Sequence, residues 1–186
     1  MPRAGLDART VVAAAADLAD EVGFHNLTMG LLADRLGVRT PSLYKHVTGL
    51  ADVQHRVAVL AVAQLGDAVR DAIGGRAGRD ALAAFATAFR DFVTGHPGRD
   101  TATIGAEVAG PDDPLYAASA RVLDTMAAVL SGYGIPADKM DHALRTMRSV
   151  FHGFTTLQAA NGFQWSGDPD ETFHWMIEFV DRGLRS

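Results

Sequence analysis

Apolar residues along this chain recur every three or four positions, with no alternating run, so the sequence reads as a succession of amphipathic helices. Val11, Val12, Ala15, Leu18, Ala19 and Val22 form a first stripe that stops at Gly23. A short second helix follows Thr28, whose hydroxyl can accept from the free N–H groups of a first turn. Its stripe of Leu31, Leu32 and Leu36 ends at Gly37, where the backbone can turn at low steric cost. A third helix is expected with Thr40 as N-cap, Pro41 at the first helical position, and Leu43 and Val47 facing inward. Val53, Val57, Leu60 and further apolar residues to about Ile73 then make a long connecting helix. Two helices as short as the second and third are not stable alone, so their neighbours must cover the inner face. The result is a three-helix head containing a helix-turn-helix.

Breakers divide the remainder. Gly74-Gly75-Arg76-Ala77-Gly78 ends the connecting helix, and Leu82, Phe85, Ala86, Phe89, Phe92 and Val93 repeat at helical spacing until Gly95-His96-Pro97-Gly98. A short helix is expected over 101–108, a loop at 110–114, and a helix with Val122, Leu123, Met126, Val129 and Leu130 on its apolar face. Pro136 opens the next helix, striped by Met140, Ala143, Leu144, Met147, Val150, Phe151, Phe154 and Leu157, and Asp168-Pro169 begins a last one ending near Gly183. The fold class is therefore all-α, with a head at 1–50 and a helical body at 51–186 that begins with the connecting helix. Phe173, Trp175, Met176, Ile177, Phe179 and Val180 occupy more than one face of the last helix, too many for packing on a single side. With Leu157 they predict an interface in which the last two long helices of two copies form a four-helix packing. Gly153, inside a helix at a cost of about 1 kcal/mol relative to alanine, predicts close approach of a neighbouring helix.

A formal charge of −5 over 186 residues argues against DNA until it is divided. Residues 1–56 hold six Lys/Arg and six Asp/Glu, so the deficit belongs to the body. No acidic residue lies between Asp34 and Asp52, where Arg35, Arg39, Lys45 and His46 form a small basic patch. Cysteine is absent, which excludes a disulfide framework and a thiol nucleophile. The apolar run 11–16 is too short for a secretory signal, so a cytoplasmic protein is expected. The longest uncharged run, 149–167, has nearly the length of a membrane span, but His152, Gln158, Asn161 and Gln164 make insertion unfavourable and no membrane partner is expected. No P-loop, dinucleotide fingerprint, HExxH or GxSxG motif is present, and Asp138, Asp141, His142 and Arg145 read as a solvated helix face. Neither catalysis nor a cofactor or metal is expected.

The segment 23–47 resembles the DNA-binding head of the TetR family of transcriptional regulators. The resemblance rests on Gly23-Phe24, Thr28, Leu36-Gly37-Val38 and Leu43-Tyr44-Lys45-His46-Val47. Phe151-His152-Gly153-Phe154 is also similar to a TetR C-terminal subgroup with a WHG-like signature, Phe151 standing where that signature has tryptophan. By this resemblance Tyr44 and His46 match phosphate-contacting positions. Lys45 can reach phosphate or a base, Thr40 and Ser42 can form base or backbone hydrogen bonds, Arg39 can make a bidentate contact to guanine, and Thr28 is a further candidate at the DNA surface. Leu50 stands where many relatives carry a basic phosphate clamp, which shifts that task to Arg3, Arg9 or Lys45. The family implies a homodimeric repressor of a palindromic double-stranded operator, released by a small hydrophobic or amphipathic effector. Phe85, Phe89, Phe92, Met126, Met147, Phe151, His152 and Phe154 are the candidates to meet that effector, with Tyr133 or Gln158 orienting it, although a stripe of this kind also builds solid core. A helical binding or interaction protein without operator binding, and less so a helical enzyme, are the competing readings.

Overall fold

The structure is a computed structural model that describes residues 6–185, and among these it contains nine α-helices and no strand. They are α1 (Ala8–Val22), α2 (Met29–Leu36), α3 (Thr40–Leu43), α4 (Leu50–Ile73), α5 (Gly78–Gly95), α6 (Pro97–Thr103), α7 (Pro114–Leu130), α8 (Met140–Ala159) and α9 (Pro169–Leu184). Contacts divide the chain into two compact units, one of residues up to 63 with 96–117, the other of 64–95 with residues from 118 onward.

The first unit is built on α1, whose start is fixed by Asp7 Oδ1 accepting from the Thr10 N–H at 2.7 Å. Val11, Ala15 and Leu18 of α1 close a core with Leu27, Leu32, Leu43, Val47, Val53 and Val57. The expected short helix at 101–108 instead spans Pro97–Thr103 and sends Ala102 into this same core. Pro97 follows an N-cap residue, His96, so the Gly-His-Pro-Gly run opens a helix as well as ending one. Gly98 lies so close to α1 that an added Cβ would stand 2.0 Å from the Ala19 carbonyl oxygen and 2.5 Å from the Asp20 nitrogen. Arg99, buried beside it, pairs with Asp20 and Asp17 of α1.

Within the same unit Asp113 clips the loop before α7. Its carboxylate accepts from the Ala109 and Leu115 N–H groups, both at 2.9 Å, and lies 3.0 Å from His55 Nε2 on α4. The backbone bonds, then His55, hold this carboxyl below its ordinary value of 3.8. A depressed carboxyl stabilises the fold above its ordinary value and loses that contribution as pH falls through the depressed one. Asp113→Asn is therefore expected to be less stable than the wild type at pH 7, with the difference shrinking below pH 3.8, which thermal unfolding across pH would measure.

In the second unit, α5, α8 and α9 pack pairwise. Phe85 meets Phe89 at 6.1 Å and Phe151 at 6.3 Å between ring centroids, and Phe173 meets Phe151 at 6.5 Å and Phe154 at 5.4 Å. Arg90 lies over the Phe173 ring at 4.6 Å, donates to Gln158 Oε1 at 2.8 Å and pairs with Asp170. The Tyr133 hydroxyl donates to buried Asp181 at 2.7 Å, and burial followed by this bond pushes its ionisation well above the usual tyrosine range. Asp168 caps α9 through the Asp170 N–H at 2.8 Å. The two-sided pattern of α9 separates cleanly. Phe173, Ile177 and Val180 enter the chain's own core and Met176 packs at its edge, which removes the first three from any interface with a partner. Trp175 and Phe179 stack on each other at 5.4 Å and point outward, 60% and 58% exposed, and Leu157 on α8 is also exposed. The close neighbour expected at Gly153 is not found among the described residues, where an added Cβ meets nothing within 4 Å.

Candidate nucleic-acid interface

The helix-turn-helix is assembled by local signals. Thr28 Oγ1 accepts from the Leu31 N–H at 3.2 Å and so caps α2. Gly37 takes the left-handed conformation, φ 65°, while the Val38 N–H donates to the Ala33 carbonyl at 3.0 Å and the Gly37 N–H to that of Asp34 at 3.1 Å. This paired pattern satisfies the carbonyls left open at a helix end and swings the chain toward α3. Two details differ from expectation. Leu31 is exposed, because α2 turns only Leu32 and Ala33 fully inward and Leu36 partly. The N-cap of α3 is Arg39, with Thr40 already helical and making no capping bond from its side chain. One turn of helix, Thr40–Leu43, is followed by a turn over 44–46 that the His46 and Val47 N–H groups close onto the Leu43 carbonyl at 2.9 and 3.1 Å.

That turn decides which side chains face outward. Leu43 and Val47 anchor it in the core, and Tyr44 between them is 55% exposed, so the hydroxyl and ring are presented to solvent instead of to head packing. Lys45 and Arg39 are exposed, while Thr40, Ser42 and His46 are half-buried at the same surface segment. Thr28 is exposed but its oxygen is engaged in capping.

The basic patch is smaller than a charge count suggests. Arg35 grips Glu21 of α1 through two nitrogens, one contact at 3.0 Å, and this hydrogen-bonded pairing holds the Glu21 carboxyl below its usual range and raises Arg35. Arg56 is bonded to Asp52 at 2.6 Å. Arg9, Arg39 and Lys45 make no ion pair among the described residues, which leaves their charge available to an external anion. Arg3 lies outside the described residues.

The geometry is that of a capped helix, a glycine turn and an exposed Tyr-Lys pair on a small bundle, and sequence comparison points the same way. A profile described as bacterial regulatory proteins of the tetR family matches residues 11–47, and one described as a tetracyclin repressor-like C-terminal domain matches 82–180. The chain belongs to the TetR family. It is a transcriptional regulator with a helix-turn-helix DNA-binding domain. Two similar relatives are the uncharacterized HTH-type transcriptional regulators YobS of Bacillus subtilis (strain 168) and Rv0681 of Mycobacterium tuberculosis. YobS is 32% identical over 98% of this chain and 95% of its own length, and Rv0681 is 33% identical over 97% and 83%. Among solved structures, a protein of unknown function from Rhodococcus sp. RHA1 superposes over the full length of both chains with a TM-score of 0.82 at 21% identity. A TetR variant from Acinetobacter baumannii AYE, in complex with minocycline, gives 0.73 at 25% identity over 98% of this chain and 99% of its own.

In this TetR-family chain the side chains expected to meet an effector lie together, but as core. Phe85, Phe89, Phe92, Met126, Met147, Phe151 and Phe154 are all buried in one cluster, with His152 edge-on to Phe89 at 5.6 Å. The hydroxyl of Tyr133 and the carbonyl of Gln158 already have partners in Asp181 and Arg90. Asp138, Asp141, His142 and Arg145 are exposed, and no group of metal-ligating side chains occurs among the described residues. No described helix is long and apolar enough to cross a membrane. Sequence reasoning missed the α1–α6 junction of Asp17, Asp20, His96, Gly98 and Arg99. The available signal was Pro97 placed two residues after Gly95 and followed by Asp100 in a first turn.

Proposed function

We propose that this regulator is a homodimeric repressor that binds a palindromic operator through its two helix-turn-helix units and leaves it when a small hydrophobic or amphipathic molecule binds the body. The observation that carries this reading is the exposed segment holding Arg39, Tyr44 and Lys45, none of the cations being neutralised by a carboxylate among the described residues. Lys45 and Tyr44 contact phosphate, and Arg39 with Ser42 and Thr40 reaches base edges, where sequence is read directly. The dimer is supported by the outward-facing Leu157, Trp175 and Phe179 and by the open space over Gly153, where a partner helix can approach closely. Effector release is supported by the body's similarity to a structure that holds minocycline. The effector would shift the equilibrium by preferring a body conformation unsuited to the operator.

Titrating the intact chain with its own upstream DNA at several salt concentrations tests the reading. Sequence-preferring binding with a steep salt dependence is expected. Lys45→Ala should weaken binding to all sequences alike and lower the salt slope by about one per protomer, whereas Arg39→Ala should relax preference at one base pair for a loss of about 1–3 kcal/mol. Equal binding to every duplex, or none to any, would overturn the repressor and leave a helical interaction protein.

A further inference from the structure

The α1–α6 junction holds a group of side chains that DNA binding does not use. Arg99 is nine-tenths buried, with Nη1 2.5 Å from Asp20 Oδ2 and 2.6 Å from His96 Nδ1. Its Nη2 donates to Asp17, and its backbone N–H donates to Asp20 Oδ1 at 2.8 Å. His96 Nδ1 also lies 3.1 Å from Asp20 Oδ2. A guanidinium stays charged throughout the working pH range and carries donors only. Nδ1 of His96 therefore meets Arg99 as a lone pair, which requires the neutral ring with its hydrogen on Nε2. Towards Asp20, an acceptor, the same atom can serve only as an N–H. The two contacts demand opposite protonation of one nitrogen.

We propose that His96 is a proton-operated latch on the α1–α6 junction: neutral, its Nδ1 is held by Arg99; protonated, it turns to Asp20 and the first turn of α6 rearranges. A proton on Nδ1 sets donor against donor and cation against cation across 2.6 Å, a contact that must open. The new N–H finds Asp20 Oδ2 within reach, so the ring exchanges one partner for another. His96 is the N-cap of α6, with φ −135° and ψ 62° and no capping bond from its side chain, so movement of its ring acts on the start of the helix. The positive end of a helix also disfavours a cation at that position. The elements packed here carry further charged or titratable groups: Asp17, Asp20 and Glu21 on α1, His25 on the adjoining 3-10 turn, and Arg99 and Asp100 on α6. The ring is 41% exposed, so protons reach it from solvent.

The full chain, labelled with nitrogen-15, provides the test. Ring proton–nitrogen correlations of His96 at pH 8 are expected to show hydrogen on Nε2 alone, and at pH 5.5 on both nitrogens. Exchange of the Arg99 amide, corrected for intrinsic chemistry, should be about tenfold faster at pH 5.5 than at pH 8 as the junction loosens. His96→Gln can accept from Arg99 but takes up no proton, and its Arg99 amide should exchange equally at both pH values. Hydrogen on Nδ1 at pH 8, pH-independent exchange in the wild type, or a pH effect that persists in His96→Gln would each overturn the latch. The ring measurement needs no substitution, so poor folding of the variant does not remove the test.

Discussion

Gly98→Ala is expected to destabilise the protein by about 3 kcal/mol or more, at the upper end of overpacking costs, and to lower the midpoint of thermal unfolding by roughly 6–12 °C for a chain of this size. The added carbon would lie 2.0 Å from the Ala19 carbonyl oxygen, and the obstacle is helix backbone, which no rotamer change can move aside. The only relief is for α6 to lift from α1, which pulls Ala102 from the core and separates Arg99 from Asp20. A buried arginine pulled from its carboxylate is itself costly. Gly153→Ala provides the contrast. Its Cβ meets nothing within 4 Å and the position is helical and exposed, so the isolated protomer should gain about 0.5–1 kcal/mol. Differential scanning calorimetry of the two variants separates a glycine required by a neighbour from one tolerated by the helix. Equal midpoints would contradict the close α1–α6 contact.

Trp175→Glu combined with Phe179→Glu is expected to turn a dimer into a monomer without loss of helix. Both rings stand outside the protomer's core, 60% and 58% exposed, so their removal leaves that core intact. In a dimer they would be desolvated, and losing each such aromatic anchor costs about 2 kcal/mol or more, near thirtyfold in affinity apiece. Placing carboxylates in the contact adds a desolvation penalty. Sedimentation equilibrium should find the wild type dimeric and the double variant monomeric at micromolar concentration, with matching far-ultraviolet circular dichroism. Phe173→Glu makes the control, since that side chain is 1% exposed within its own chain and its replacement should unfold the body. A monomeric wild type, or a double variant that stays dimeric, would contradict the interface.

The helix-turn-helix was legible in the sequence because its signals are local. A capping threonine at 28, a glycine at 37 and a proline at 41 each act within one turn of chain, and two of the three boundaries they predict fall where the structure has them. Arg39 displaces Thr40 as N-cap because the extended backbone ends one residue earlier than composition alone indicates. Long-range packing was not legible. Leu31 counts as apolar in any periodicity, yet which face of an eight-residue helix is covered depends on α1 and α3. Gly98 reads as a breaker until α1 is seen against it, and the excess aromatics of α9 gave two faces without saying that 173, 177 and 180 belong to the protomer. The basic patch was overstated for the same reason, since Glu21 lies fourteen positions before the arginine it neutralises.

The most direct test of a paired DNA reader is selection of bound duplexes from a random pool by the intact chain. Enrichment of an inverted repeat with half-site centres one helical turn apart, about 10–10.5 base pairs, or a multiple of that, is expected, and Tyr44→Ala with Lys45→Ala should abolish it. Recovery of no shared sequence, or of single half-sites without symmetry, would contradict it.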